Sequence, residues 1–151
     1  MIDKSDSYLR ARMVAEALSW IGTPYKSGAR IKGVGVNCAQ LLYGVAKDAG
    51  AIPEDAPEPR WFTSQFALHQ KDERIIDYIK EYGCHEISQS EVQYGDIVVY
   101  KTGKSHGHAA IIIDWPETIV HAMPHAGCQK SHARGGVLGG YTMRFFSVIK
   151  S

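Results

Sequence analysis

Gly33-Val34-Gly35-Val36-Asn37-Cys38-Ala39-Gln40-Leu41-Leu42 is a glycine-punctuated turn that runs straight into an amphipathic helix. Cys38, Leu41, Leu42, Val45 and Ala49 recur at helical spacing on one face, and Gly50 closes the segment. The thiol therefore sits at the start of the helix, on the side that packs. There it meets unpaired backbone N–H groups and the positive end of the helix dipole, and both favour a thiolate. On position alone Cys38 is equally well a small buried apolar residue. Of the other cysteines, Cys84 follows Gly83 at a helix C-terminus, where the dipole disfavours a thiolate, and Cys128 falls in a loop between His125 and His132.

Working outward, the N-terminal half reads as helices. The first begins near Ser5 or Asp6, both good caps, with Leu9, Met13, Ala17, Leu18 and Ile21 at helical spacing and Gly22 and Pro24 at its end. A Gly- and Lys-rich loop spans Lys26 to Val36. Pro53, Pro57 and Pro59 make an irregular connector, and Trp61 to Leu68 is ambiguous, with Trp61, Phe62 and Phe66 either packing the connector down or walling a cleft. Ile75, Ile76, Ile79 and Tyr82 mark a third helix, stopped by Gly83.

Beyond Gly83 the period changes to that of strands: Asp96 to Tyr100, His108 to Ile113, Thr118 to Ala122, and Tyr141 to Ile149 with a break. The Gly135-Gly136 and Gly139-Gly140 pairs read as tight turns around Val137-Leu138. Helices first and strands second predict an α+β fold, with N-terminal helices packed on a C-terminal antiparallel sheet. At 151 residues the chain is expected to form one domain, residues 1–151.

Two histidines stand where a thiol can use them. His108 leads His-Ala-Ala-Ile-Ile-Ile, a strand apolar on both faces and therefore central. His121 ends the next strand, Thr-Ile-Val-His-Ala. A cysteine–histidine pair needs a third polar group to hold the imidazole, and an adjacent strand is a suitable place for it. His106 is the rival to His108, but it belongs more naturally to the polar turn. His121, His125, Cys128 and His132 also carry ligand types suited to zinc, although Pro124 and Gly127 break any helix that would align them.

Composition excludes several classes. With 17 basic and 16 acidic residues the formal net charge is +1, so nothing points to nucleic acid or an anionic membrane. No apolar stretch is long enough to span a bilayer, and with no apolar run behind Met1-Ile2-Asp3-Lys4-Ser5-Asp6 no signal peptide is expected. The chain is expected to be made in the cytoplasm and to reach a cell wall, if it acts there, with a phage particle or secretion machine. Three cysteines argue for reduced thiols and against a disulfide scaffold.

Four segments together resemble the NlpC-type cell-wall cysteine peptidases, small papain-like hydrolases, most closely the branch of phage tails and gene transfer agents. They are Trp20-Ile21-Gly22-Thr23-Pro24-Tyr25, the Lys32 to Cys38 approach, Tyr94-Gly95-Asp96-Ile97-Val98-Val99-Tyr100, and the Gly107–Ile112 and Ile119–Ala122 strands. The resemblance implies a permuted papain-like fold, with Cys38 as nucleophile, His108 as base and His121 as orienter. Tyr25 and Asn37 would lie on the oxyanion or substrate side. No metal or organic cofactor is implied. The implied substrate is a peptide bond of the peptidoglycan stem, often that between γ-D-glutamate and a diamino acid. Phage tail or secretion-particle proteins are the implied partners. The family usually has aspartate before the nucleophile and Ser-Gly or Leu-Gly after it, where this chain has Asn37, Ala39 and Gln40. That leaves the bond cleaved, and the need for a free N-terminal amine, open. An amidase or acyltransferase on the same fold, or a non-catalytic tail or secretion subunit, are the other readings.

Overall fold

A computed structural model describes residues 5–59 and 73–149. The expectations for Trp61, Phe62 and Phe66 lie outside the described residues.

Helix α1 spans Asp6–Ser19, and the Ser5 hydroxyl caps it by accepting from the Tyr8 N–H at 3.2 Å. Its buried stripe is Arg10, Met13 and Ala17, continued by Trp20. Leu18 and Ile21 were expected on that stripe but are exposed. Leu18 lies about 140° round the helix from Met13, so one face cannot hold both. The following loop closes a small hairpin, β1 (Arg30–Ile31) against β2 (Gly35–Val36). Helix α2, Cys38–Asp48, is buried without interruption from Cys38 to Ala46. Helix α3, Arg74–Glu81, buries Ile75, Ile76 and Ile79.

The rest is one antiparallel sheet: β3 (His85–Ile87), β4 (Ile97–Lys101), β5 (His106–Asp114), β6 (Thr118–Met123), β7 (Gly127–Ser131) and β8 (Met143–Ser147), in the order β3-β8-β4-β5-β6-β7. The fold is thus α+β as expected. Strand β5 is interior, and both its faces are covered. Ile111 packs with the helices (Met13, Leu41, Val45, Ile76), while Ile112 packs on the other side with Tyr100, Ile119, Leu138 and Phe145. The cover on that second side comes from the chain around a 3-10 turn, Gly136–Gly140, where two tight turns were expected.

Strands β3 and β7 were not expected. Cys128, expected in a loop, is a buried strand residue paired with Ala122. Its N–H donates to Thr23 O at 2.8 Å and its carbonyl accepts from Gly22 N–H at 2.9 Å, so the sheet edge is tied to the loop after α1. Gly127 makes this possible. Its φ is +76°, and a Cβ there would stand 2.6 Å from the Thr23 carbonyl.

The Gly95-Asp96 pair does a second piece of joining. Asp96 is fully buried and accepts from the Arg10 guanidinium at 2.7 Å, while Arg10 also donates to Tyr94 O. Gly95, at φ +84°, lets the Arg10 backbone approach to within 3.0 Å of where a Cβ would be. α1 is thereby pinned to the start of β4.

Candidate active site

Asn37 is the N-cap of α2. Its extended backbone turns the chain, and its Oδ1 accepts from the Gln40 N–H at 2.8 Å. Cys38 is then the first helical residue. Two residues earlier Val36 is bridged to Tyr25, with Lys26 N–H donating to Val36 O and Val36 N–H to Pro24 O. That bridge fixes where Tyr25 stands relative to the thiol. Gly35 allows the crossing, since a Cβ there would meet Lys26 Cβ at 2.8 Å. Tyr25 is half-buried and lines a cavity of about 380 Å³ with Pro24 and His125.

The helix start lies against β5. Cys38 is 2% exposed, and its thiol donates to the Gly107 carbonyl at 3.7 Å, one residue before His108. His108, on β5, and His121, on β6, are both buried, and His108 Nε2 lies 2.9 Å from His121 Nδ1. Their rings meet edge to face, with centroids 5.1 Å apart, and Tyr100 flanks His108 at 5.9 Å. With Nε2 engaged, Nδ1 is the His108 nitrogen left for another partner. The structure therefore brings the Cys38 thiol to the backbone on either side of His108, and pairs His108 with His121, at one end of β5 and β6.

Burial decides the protonation of this group. It pushes the Cys38 thiol up to about 11, against the pull of the Ala109, Ala39 and Cys38 backbone N–H groups. This corrects the expectation from helix position: the dipole is present, but loss of water outweighs it. Burial, and then the neighbouring His121, bring His108 down to about 3; burial brings His121 down to about 4. At neutral pH all three are uncharged, in keeping with a thiol that donates to a carbonyl.

The remaining candidates fall elsewhere. His106 was expected in an exposed turn, but it is the first residue of β5 and is buried. Glu73 Oε2 accepts from its N–H at 2.9 Å and lies 3.0 Å from its Nδ1. Asn37, placed on the substrate side by resemblance, spends its oxygen on the cap and is 1% exposed. The zinc set does not assemble. His121 pairs with Gln129 and Ala122 with Cys128, so His121 and Cys128 point to opposite faces of the sheet. Among the described residues no cluster of three metal-binding side chains forms.

Sequence reading missed Gln40, whose amide joins Arg30 and Glu58 in a network (Arg30 to Gln40 2.7 Å, Arg30 to Glu58 2.9 Å). Its position three after Asn37 was the available signal. It missed Glu73 because no local pattern ties that residue to His106. A larger cavity, about 640 Å³, lies by Arg10, His85 and Tyr94 and holds none of the cysteine–histidine group.

A helix-borne cysteine set against histidines on an antiparallel sheet defines a papain-like α+β protein. The NlpC/P60 family profile matches residues 22–146, and the chain belongs to that family. Its fold is shared with the NlpC/p60 domain of the peptidoglycan hydrolase SagA (20% identity, 89% of this chain and 96% of that one, TM-score 0.60). It is shared also with the P60 domain of an antigen of M. avium subspecies paratuberculosis (16% identity, 96% and 98%, TM-score 0.59). A lipoprotein-like member from Staphylococcus aureus aligns at 21% identity and TM-score 0.64 over 99% of this chain, which spans 44% of that one. No curated protein sequence matches the chain.

Proposed function

We propose that this single domain is a cysteine peptidase that hydrolyses a peptide bond of the peptidoglycan stem. The observation that carries the proposal is the join at β5: a thiol at a helix start that donates to Gly107 O, one residue before a histidine whose Nε2 lies 2.9 Å from a second histidine. Membership of the family and a fold shared with a peptidoglycan hydrolase domain support the substrate class.

The resting site is neutral, so proton transfer accompanies attack. His108 Nδ1 takes the thiol proton as Sγ adds to the scissile carbonyl. The Cys38 backbone N–H and the Tyr25 hydroxyl receive the oxyanion, one such donor being worth ~3 kcal/mol. His108 then returns the proton to the leaving amine, and water hydrolyses the thioester. His121 holds the His108 ring throughout. The γ-D-glutamyl-diamino acid bond is the first bond to test.

Digestion of purified peptidoglycan with wild type and Cys38→Ala, followed by mass spectrometry of the fragments, tests activity, nucleophile and bond together. Wild-type fragments absent from the Cys38→Ala digest are expected. Equal fragments from both would remove Cys38 from the mechanism.

A further inference from the structure

Glu73 stands at the N-cap of α3 and yet does not cap it. An N-cap side chain ordinarily accepts from a backbone N–H of its own first turn, but the Glu73 carboxylate makes no such bond. It reaches across 33 residues of chain instead. There its Oε2 accepts from the His106 N–H at 2.9 Å and meets His106 Nδ1 at 3.0 Å. An ionised carboxylate only accepts, so Nδ1 carries the ring proton and donates it. One oxygen thus holds both the backbone and the ring of His106.

What these bonds fasten is the irregular end of β5. Across the β4–β5 pair His106 stands opposite Lys101 and His108 opposite Tyr100, so two successive residues of β4 face three of β5. Gly107 is the extra residue, a β-bulge, and an extra residue is left out of the ladder. Its carbonyl accepts from the Cys38 thiol at 3.7 Å. The Ala109 N–H, on the other side of His108, also bonds the sulfur. The sulfur is therefore gripped by one short stretch of β5 backbone, and the bulge sets the shape of that stretch.

The sheet does little to fix the bulge. Strand β4 ends at Lys101, opposite His106, and the register with β6 runs only from Ile111 to Asp114. Pairing is weakly specified in polar, glycine-containing chain, and Ser105-His106-Gly107 is such a stretch. Beyond the single Lys101 pairing, the two bonds from Glu73 are what anchor it.

We propose that Glu73 is a positioning residue for the nucleophile: by fixing His106 it holds the Gly107 bulge where its carbonyl meets the Cys38 thiol. Glu73 touches no reacting atom. Its effect on turnover rests on the peptidase reading above, whereas its effect on the thiol does not. A reacting group displaced by about 1 Å costs ~10²-fold in rate, so loosening the bulge is felt in kcat.

The thiol itself reports the outcome. In a Cys84→Ala/Cys128→Ala background Cys38 is the one remaining thiol, and donation to a carbonyl lowers its S–H stretching frequency in the infrared. Glu73→Ala is expected to raise that frequency, and Glu73→Gln, which keeps an oxygen for His106, to restore it. His106→Ala, which removes one of the two bonds, gives a second reading should Glu73→Ala fail to fold, and is expected to shift the band the same way. Ser5→Ala removes the cap of α1, costs about 1 kcal/mol far from the site, and is expected to leave the band in place. In peptidoglycan digestion with all cysteines present, Glu73→Ala is expected to lower kcat about tenfold to a hundredfold with KM little changed. A band unmoved in both Glu73→Ala and His106→Ala, or moved equally by Ser5→Ala, overturns the proposal. So does a Glu73→Ala enzyme whose KM rises while kcat holds, since that marks a contact with substrate. If the wild type cleaves no peptidoglycan, the peptidase reading falls, and the infrared band still decides where Glu73 holds the strand.

Discussion

The Cys38 thiol is bonded to the Gly107 carbonyl, and a thiol bonded to a carbonyl keeps its proton. The site thus rests with its thiol and both imidazoles neutral. Cys38 should accordingly behave unlike a thiolate–imidazolium pair towards alkylating agents. In a Cys84→Ala/Cys128→Ala background, the iodoacetamide rate is expected to be low from pH 5 to 7 and to climb through pH 9 towards about 11, the value set by burial. A reactive plateau at acidic pH would contradict the neutral resting state.

The contact between His108 and His121 sets the next expectation. His108→Ala is expected to lower kcat/KM by about 10²–10⁴-fold, the usual worth of a placed general base. His121→Ala should also impair turnover, and His121→Gln, which keeps a polar atom towards His108 Nε2, should recover part of it. Equal loss in His121→Ala and His121→Gln would mean that the ring is needed only for packing.

Acid stability follows from the same pair with a definite sign. Both histidines are held below the ordinary value of 6.5, at about 3 and about 4. Between those values and 6.5 the unfolded chain binds more protons than the folded one, so stability falls as pH drops through that window. Urea unfolding at pH 7 and pH 4.5 should show the loss. A His108→Gln/His121→Gln protein should show a smaller one, and an unchanged pH slope in that variant would move the effect elsewhere.

These expectations divide along what the chain shows locally. The elements that carry Cys38, His108 and His121 were legible because each has its own local mark: a helix start after a glycine turn, a strand apolar on both faces, and the strand after it. Strand β7 was not legible, since Gly127-Cys128-Gln129-Lys130-Ser131 has no apolar alternation and is a strand only because β6 and the Thr23 loop supply its partners. His106 looked like a turn residue because its polar partner, Glu73, lies far back in the chain. The charge state of Cys38 was misread for a related reason. A helix dipole is a local property, whereas burial depends on every element packed around the sulfur.

Arg10 and Asp96 join α1 to β4 through a buried pair, so removing one partner strands a charge. Arg10→Met is expected to destabilise the fold by about 3–5 kcal/mol by leaving Asp96 fully buried and uncompensated. Arg10→Met/Asp96→Asn should recover much of that loss. Denaturant midpoints of the two variants decide it; a double variant no better than the single would place the energy in the Tyr94 and Gln93 backbone contacts instead.

Asn37 separates capping from charge at the nucleophile. Asn37→Ala removes the bond to Gln40 N–H and is expected to cost about 1 kcal/mol of stability, the common worth of an N-cap. Asn37→Asp keeps an oxygen for that bond and adds a carboxylate one residue from Cys38 in a site closed to water. Like charges oppose each other there, so thiolate formation becomes harder. One unit of further rise in the thiol pKa would slow alkylation about tenfold at a fixed pH of 8. The two variants should therefore part company: the first loses stability, and the second loses thiol reactivity while staying folded. If Asn37→Asp instead alkylated faster than wild type, the neutral amide before Cys38 would not be what keeps the thiol's cost of ionisation down.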